Sequence, residues 1–131
     1  MRLLLDTHIA LWAIAAGNKL PARTRTLIAE AENTVSISVA TIWEIAIKYP
    51  LARRGVGRMP VSSSDALAHF QSAGFELLEI SARHAVAVES LPALHGDPFD
   101  RMLVAQALTE PMHLLTADAQ VAAYSSAIIR V

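Results

Sequence analysis

Asp6, Glu44 and Asp118 each follow a run that reads as a β-strand: Arg2-Leu3-Leu4-Leu5, Val35-Ser36-Ile37-Ser38-Val39 and His113-Leu114-Leu115. Asp100 opens the helical pattern of Pro98-Phe99-Asp100-Arg101-Met102-Leu103-Val104-Ala105-Gln106-Ala107. In an open α/β sheet the carboxyl ends of the strands form one rim, so acids distant in sequence meet there. Carboxylates gathered in this way repel and raise one another's pKa unless a cation holds them ionised. Such a cluster suits a divalent metal ion and phosphate chemistry. Carboxylate and water oxygens are the ligands of Mg²⁺ or Mn²⁺, and a chain with no Cys offers little to softer metals. The histidines, His8 and His95 among them, show no paired spacing of the His-Glu-x-x-His kind, which argues against a zinc hydrolase.

Each acid also has an ordinary helix-start explanation. Thr41-Ile42-Trp43-Glu44 matches a capping box, and Glu44 is placed to pair with Lys48 four residues on. Asp97-Pro98 reads as an N-cap followed by proline at the first helical position, with Asp100 in the favourable field of that helix start. Thr116-Ala117-Asp118 reads as a cap with an acid in the first turn. Two positions resist these explanations. Asp6 ends an apolar strand, where a buried carboxylate without a partner is costly. Asp100 shares a helical face with Leu103, Val104 and Ala107, which turns it toward the protein.

The elements that must position these acids follow from hydrophobic patterning. Strand-like runs at 3–5, 35–39, 75–80, 113–115 and 128–131 alternate with longer helical segments. That alternation predicts an α/β fold: a central, mostly parallel sheet of about five strands with helices on both faces, hence a three-layer α/β/α sandwich. Helices are expected over 9–16, 22–32 and 40–49, the last ended or kinked by Pro50. Gly55, Gly57 and Pro60 mark a loop, and Ser62 to Asp65 cap a helix running to Ala73 and stopped by Gly74. A further helix over 82–90 precedes the one opened by Pro98.

With 131 residues the chain fits a single domain, 1–131, and shows no repeat or linker. Its hydrophobic fraction is 53 %, yet no uncharged run approaches the ~20 residues that span a bilayer. The excess apolar content points to an oligomer or partner interface, with Leu11, Trp12 and the segment from Ile42 to Ile47 as the expected groove. Met1 to Leu5 reads as a first strand rather than a signal peptide, and the absence of Cys fits the cytoplasm. A net charge of −1 gives no global attraction for nucleic acid. Locally, Lys48, Arg53, Arg54 and Arg58 stand without an acid between Ile45 and Ser64, either a solvated loop or an edge that contacts phosphates.

Leu4-Leu5-Asp6-Thr7-His8, the block from Ser38 to Lys48, the block from His95 to Ala107 and Leu115-Thr116-Ala117-Asp118 together resemble the PIN-domain ribonucleases. More narrowly, they resemble the VapC-type toxins of bacterial toxin-antitoxin pairs, in the same order and over essentially the whole chain. The resemblance implies a PIN-like sandwich and a Mg²⁺- or Mn²⁺-dependent endoribonuclease, a homodimer inhibited by a cognate VapB-type antitoxin. By motif, Asp6, Glu44, Asp100 and Asp118 form its acidic quartet, with Asp6 and Asp100 as direct metal ligands. Asp97 is an auxiliary neighbour, and Thr7 and Thr116 aid water or phosphate positioning. Pro50 and Arg53-Arg54 depart from the plainer helix and Gly-Lys-Leu turn usual in these toxins. The competing class is a catalytically silent PIN-fold module that binds RNA or protein. A phosphotransfer receiver would need a late-strand lysine, and a haloacid-dehalogenase-type phosphatase an Asp where His8 stands. A Rossmann domain would need a Gly-x-Gly-x-x-Gly run after the first strand.

Overall fold

Three consecutive leucines in the first strand are buried on both sides, and that fact organises the molecule. The computed structural model describes residues 1–131. Strand β1 (Arg2–Leu5) lies between β2 (Thr34–Ser38) and β4 (His113–Thr116), with β3 (Glu76–Leu78) and β5 (Ile129–Arg130) outermost. The order is β3-β2-β1-β4-β5 and every pairing is parallel, so the expected mostly parallel sheet is wholly so. Parallel neighbours need crossovers, which helices supply. Helices α1 (Thr7–Ala15) and α2 (Ala22–Ala29) follow β1, and α3 (Val39–Arg53) and α4 (Ser63–Ser72) follow β2. Helices α5 (Ala82–Val88) and α6 (Pro98–Thr109) link β3 to β4, and α7 (Ala119–Ala122) links β4 to β5.

Side chains alternate across a strand, so one run of leucines feeds two cores. Leu3 and Leu5 join Val35, Ile37, Ile45 and Phe70 on one face. Leu4 joins Leu114, Leu103, Val104 and Ala107 on the other. Leu103, Val104 and Ala107 are thus buried as the spacing from Asp100 predicts. No helix is long and apolar enough to cross a membrane.

Several boundaries differ from expectation for local reasons. Helix α3 passes through Pro50 and ends at Arg53. Its stop comes from Gly55, at φ +85°, where the Val56 amide reaches back to the Leu51 carbonyl. It also starts earlier: Ser38 is the N-cap, its hydroxyl accepting from the Ala40 amide, so Thr41 and Glu44 do not form a capping box. Helix α2 ends at Ala29 and α5 at Val88, each short of the predicted limit. Ser62, Gly74 at φ +81° and Pro98 act as predicted.

Candidate active site

The rim at the carboxyl ends of β1 and β4 is where connections leave the sheet in opposite directions, the place where open α/β sheets bind ligands. Asp6, the first residue past β1, caps α1: its Oδ1 accepts from the Ile9 amide at 2.9 Å. Its Oδ2 accepts from the Thr116 hydroxyl at 2.5 Å, across to the end of β4. Thr116 Oγ1 in turn accepts from the Asp118 amide at 3.0 Å. Asp6 is therefore both a helix cap and a rim acid. It is only 4 % exposed. Burial raises its pKa and outweighs the opposing pull of the Ile9 and Thr116 bonds and of His8, while the charge of Asp118 adds to the rise.

Asp118 caps α7 itself, accepting from the Gln120 amide at 2.8 Å, rather than standing within the first turn. Asp97 caps α6 as expected and holds the Asp100 amide at 2.9 Å. With its backbone fixed, Asp100 sends its carboxylate to His95, whose Nε2 lies 2.8 Å from Oδ2. Burial raises the Asp100 pKa; the bond to His95 lowers it, and the charges of Asp97 and Asp6 raise it again. His95 is itself pushed up, first by its hydrogen bond to Asp100, with burial opposing and the charges of Asp100, Asp118 and Asp97 adding. An isolated ion pair would lower its acid and raise its base. Here both rise, because burial lifts Asp100 by more than His95 lowers it and the charges of Asp97 and Asp6 add to that rise.

Glu44 is placed differently. Buried at 5 % exposure, it accepts the Thr7 hydroxyl at 2.6 Å on Oε1 and pairs with Lys48 at 2.5 Å on Oε2. Thr7 spends its one proton on Glu44, so the 3.2 Å contact between Thr41 and Thr7 is a bond that Thr41 donates. The expected pairing of Glu44 with Lys48 is present, and it gives Glu44 a cationic partner in contact, which Asp6 lacks. Burial lowers the Lys48 pKa, but the bond and charge of Glu44, with the charges of Asp97 and Asp100, raise it further. The ammonium also lies 5.8 Å from the centre of the Phe99 ring.

The side chains that converge as metal donors are His95, Asp100 and Asp118, whose ligand atoms all lie within 4.8 Å of one another. Asp6 stands outside that triplet but within reach of its charge, since Asp6 and Asp118, and Asp100 and Asp6, feel each other. Carboxylates with one imidazole fit Mg²⁺ or Mn²⁺. His95 was set aside in the sequence because metal motifs pair histidines along a helix. It lies instead in the loop before α6. Its position two residues before the Asp97 cap is the signal that could have found it.

A groove of about 650 Å³ lies between α1 and α3, lined by Thr7, His8, Leu11, Trp12, Glu44, Lys48 and Arg58 among others. Leu11 and Trp12 line it, but of the segment from Ile42 to Ile47 only Glu44 does: Ile42 packs on the core, while Trp43 (58 %) and Ile47 (42 %) are exposed outside it. The four basic residues also separate. Lys48 and Arg58 line the groove; Arg53, 3.4 Å from the Tyr49 hydroxyl, and Arg54 do not.

The fold and rim define a parallel α/β domain with an acidic switch point, and the sequence places it: residues 3–126 match the PIN domain model, and the chain belongs to that family. Solved structures with the same fold include a chain of the VapBC2 complex from Rickettsia felis bound to a promoter DNA fragment. It is 20 % identical, with TM-score 0.69 and coverage of 100 % of this chain and 98 % of that one. A DNA-bound VapBC chain from Salmonella typhimurium is 16 % identical, with TM-score 0.68 and coverage of 100 % and 97 %. A chain of VapBC-5 from Mycobacterium tuberculosis is 20 % identical, with TM-score 0.61 and coverage of 99 % and 98 %. No curated protein matches the sequence.

Proposed function

We propose that this PIN domain is a Mg²⁺- or Mn²⁺-dependent endoribonuclease that acts in the cytoplasm as the toxin of a toxin-antitoxin pair, held in check by a VapB-type antitoxin. The observation that carries it is the convergence of His95, Asp100 and Asp118, with ligand atoms within 4.8 Å of one another, beside the buried Asp6 at the sheet's switch point. Asp100 and Asp118 would hold the ion, with Asp6 acting on it directly or through water. Bound there, a divalent ion supplies Lewis acidity for phosphodiester hydrolysis. Thr116 and Ile9 fix the Asp6 carboxylate, Asp97 fixes Asp100, and Glu44 holds Thr7 and Lys48 at the groove mouth.

The groove leading to the acids is apolar on its α1 side and basic at Lys19, Lys48 and Arg58. Those properties suit an RNA backbone, and equally an antitoxin segment that carries apolar anchors and acids, so the two would compete for one surface. A second copy of the chain fits elsewhere. Trp43, Ile47 and Leu51 recur every four residues on the outer face of α3 and are 58 %, 42 % and 41 % exposed. The test is cleavage of an RNA mixture by purified protein: activity with Mg²⁺ or Mn²⁺ that EDTA abolishes is expected. Equal activity in EDTA, or none with any divalent ion, defeats the assignment, and the latter favours the silent module.

A further inference from the structure

His95 is the one candidate donor at the rim that is not an acid, and its surroundings explain why its ring is free to act. The loop carrying it is pinned by groups other than its own side chain. The Tyr124 hydroxyl accepts from the His95 amide at 3.0 Å and lies 3.3 Å from the His95 carbonyl. Arg101 on α6 reaches the Tyr124 hydroxyl at 3.0 Å, the Pro92 carbonyl at 3.0 Å and the Val88 carbonyl at 3.2 Å. Asp97 independently fixes the amide of Asp100. Loop and helix are thus anchored before the imidazole makes any contact, so the pairing of His95 with Asp100 is not needed to hold either. Through Nε2 His95 meets two carboxylates, Asp100 Oδ2 at 2.8 Å and Asp118 Oδ2 at 3.9 Å. Two donors about 3 Å apart is the separation of adjacent ligands on one octahedral ion with bonds near 2.1 Å.

We propose that His95 Nε2 is a ligand of the divalent ion beside Asp100, making the centre a mixed nitrogen and oxygen site rather than an all-carboxylate one. The proposal rests on the metal-dependent reading above and adds to it a donor that an all-acid cluster lacks. An imidazole ligand favours first-row transition ions over Mg²⁺, since nitrogen donors suit them better than they suit the harder ion. The site should therefore prefer Mn²⁺, and that preference should belong to His95. The loop pinned by Arg101 and Tyr124 would be the part of the scaffold that keeps the ring in place.

Pulsed electron paramagnetic resonance of the full chain loaded with Mn²⁺ tests this directly. The expected result is coupling to imidazole ¹⁴N that disappears in His95→Gln, with calorimetry showing the Mn²⁺ to Mg²⁺ affinity ratio reduced about tenfold in the variant. A side chain that merely oriented Asp100 would weaken both ions alike and give no directly coordinated nitrogen signal. Mn²⁺ bound without ¹⁴N coupling overturns the assignment of His95 and leaves the nuclease proposal standing. Failure to bind Mn²⁺ at all overturns both. The resonance signal is read on the unmodified chain, so the test does not depend on the variant folding.

Discussion

Two histidine–carboxylate pairs lie on α6 or against it, and they differ in what surrounds them. His84 Nε2 meets Glu110 Oε2 at 2.5 Å, much as His95 Nε2 meets Asp100 at 2.8 Å. Around His84 every group finds a partner within the protein. Its Nδ1 accepts from the Ser81 amide at 3.0 Å, which assigns the Nε2 proton to the bond with Glu110. The second carboxylate oxygen of Glu110 faces Arg2 at 3.8 Å. Nearby, Gln106 takes the Ser38 hydroxyl at 2.5 Å. The His95 pair instead sits among Asp97, Asp118 and Asp6 with no arginine to match them. A histidine beside an acid is thus not a functional signature in itself; uncompensated charge around it is.

The sharpest way to break the contrast is Asp100→Asn. At the rim, RNA cleavage should fall by orders of magnitude, because one ligand is lost from the ion. Stability should move the other way. The folded-state pKa of Asp100 lies above its ordinary value, so its contribution to stability is full below the unfolded pKa and is lost as pH rises through the folded one. At neutral pH the ionised group therefore destabilises the metal-free fold, and the variant should melt a few degrees higher than the parent. Added Mn²⁺ should reverse that order by stabilising only the parent. Melting curves with and without Mn²⁺ decide it; a variant less stable in both conditions would mean that Asp100 is a structural residue like Glu110.

The reciprocal experiment is His84→Ala, which should leave the rim intact and cost the fold about 2–4 kcal/mol. His84 is 1 % exposed, and its loss strands the Ser81 amide and opens a void between α5 and α6. Denaturant unfolding reads the loss, and calorimetry should find Mn²⁺ affinity within about twofold of the parent, because distant sites are usually additive. A large fall in metal affinity would show that the two pairs are coupled through α6.

Acid should separate the two regions as well. Metal ligands must shed protons to bind, and the pKa values of His95, Asp6 and Asp100 are all raised. Mn²⁺ affinity should thus weaken as pH falls, beginning above the ordinary histidine value of 6.5. The decline should continue through the raised carboxylate range. Calorimetry across that interval in two buffers of different ionisation heat should also show proton release on binding. Affinity that is flat down to the ordinary carboxylate range would remove both His95 and the buried acids from the site.

How much of this was legible in the sequence follows the same division. The strands were readable because Leu3, Leu4 and Leu5 form an apolar run buried on both faces, and Pro98, Gly74 and Ser62 are local signals that tertiary contacts leave alone. The capping box at Thr41 was misread because Ser38 also caps, and only the position of β2 decides which residue starts the helix. Of the two effects expected of Pro50, an end or a kink, the end does not occur, because α3 continues one further turn to the glycine that ends it. Asp6 and Asp100 stood out because their patterns left them facing inward without a partner. His95 did not, because its place before the Asp97 cap shows only that it is near Asp100, while the loop path that turns its ring to that acid is held by Tyr124, distant in sequence.

The smallest expected effect divides the basic residues. Arg58 lines the groove that leads to the acids and makes no hydrogen bond or ion pair of its own, so its guanidinium is free for a phosphate. Lys48 shares the groove but is already matched by Glu44. Arg53 and Arg54 lie at the end of α3 outside it. If RNA follows the groove, Arg58→Ala should reduce the slope of log affinity against log salt by about 0.7, the counterion release of one single-strand phosphate contact. The Arg53→Ala/Arg54→Ala pair should flatten the slope less, even though it removes more charge, because contact rather than net charge sets the slope. Cleavage at saturating RNA should hardly change in either variant, since lost ground-state binding raises KM and leaves kcat. Filter binding at a series of salt concentrations measures this, using a metal-free Asp100→Asn background to prevent turnover. A larger change from the Arg53/Arg54 pair than from Arg58 would move the RNA off the groove and onto the end of α3.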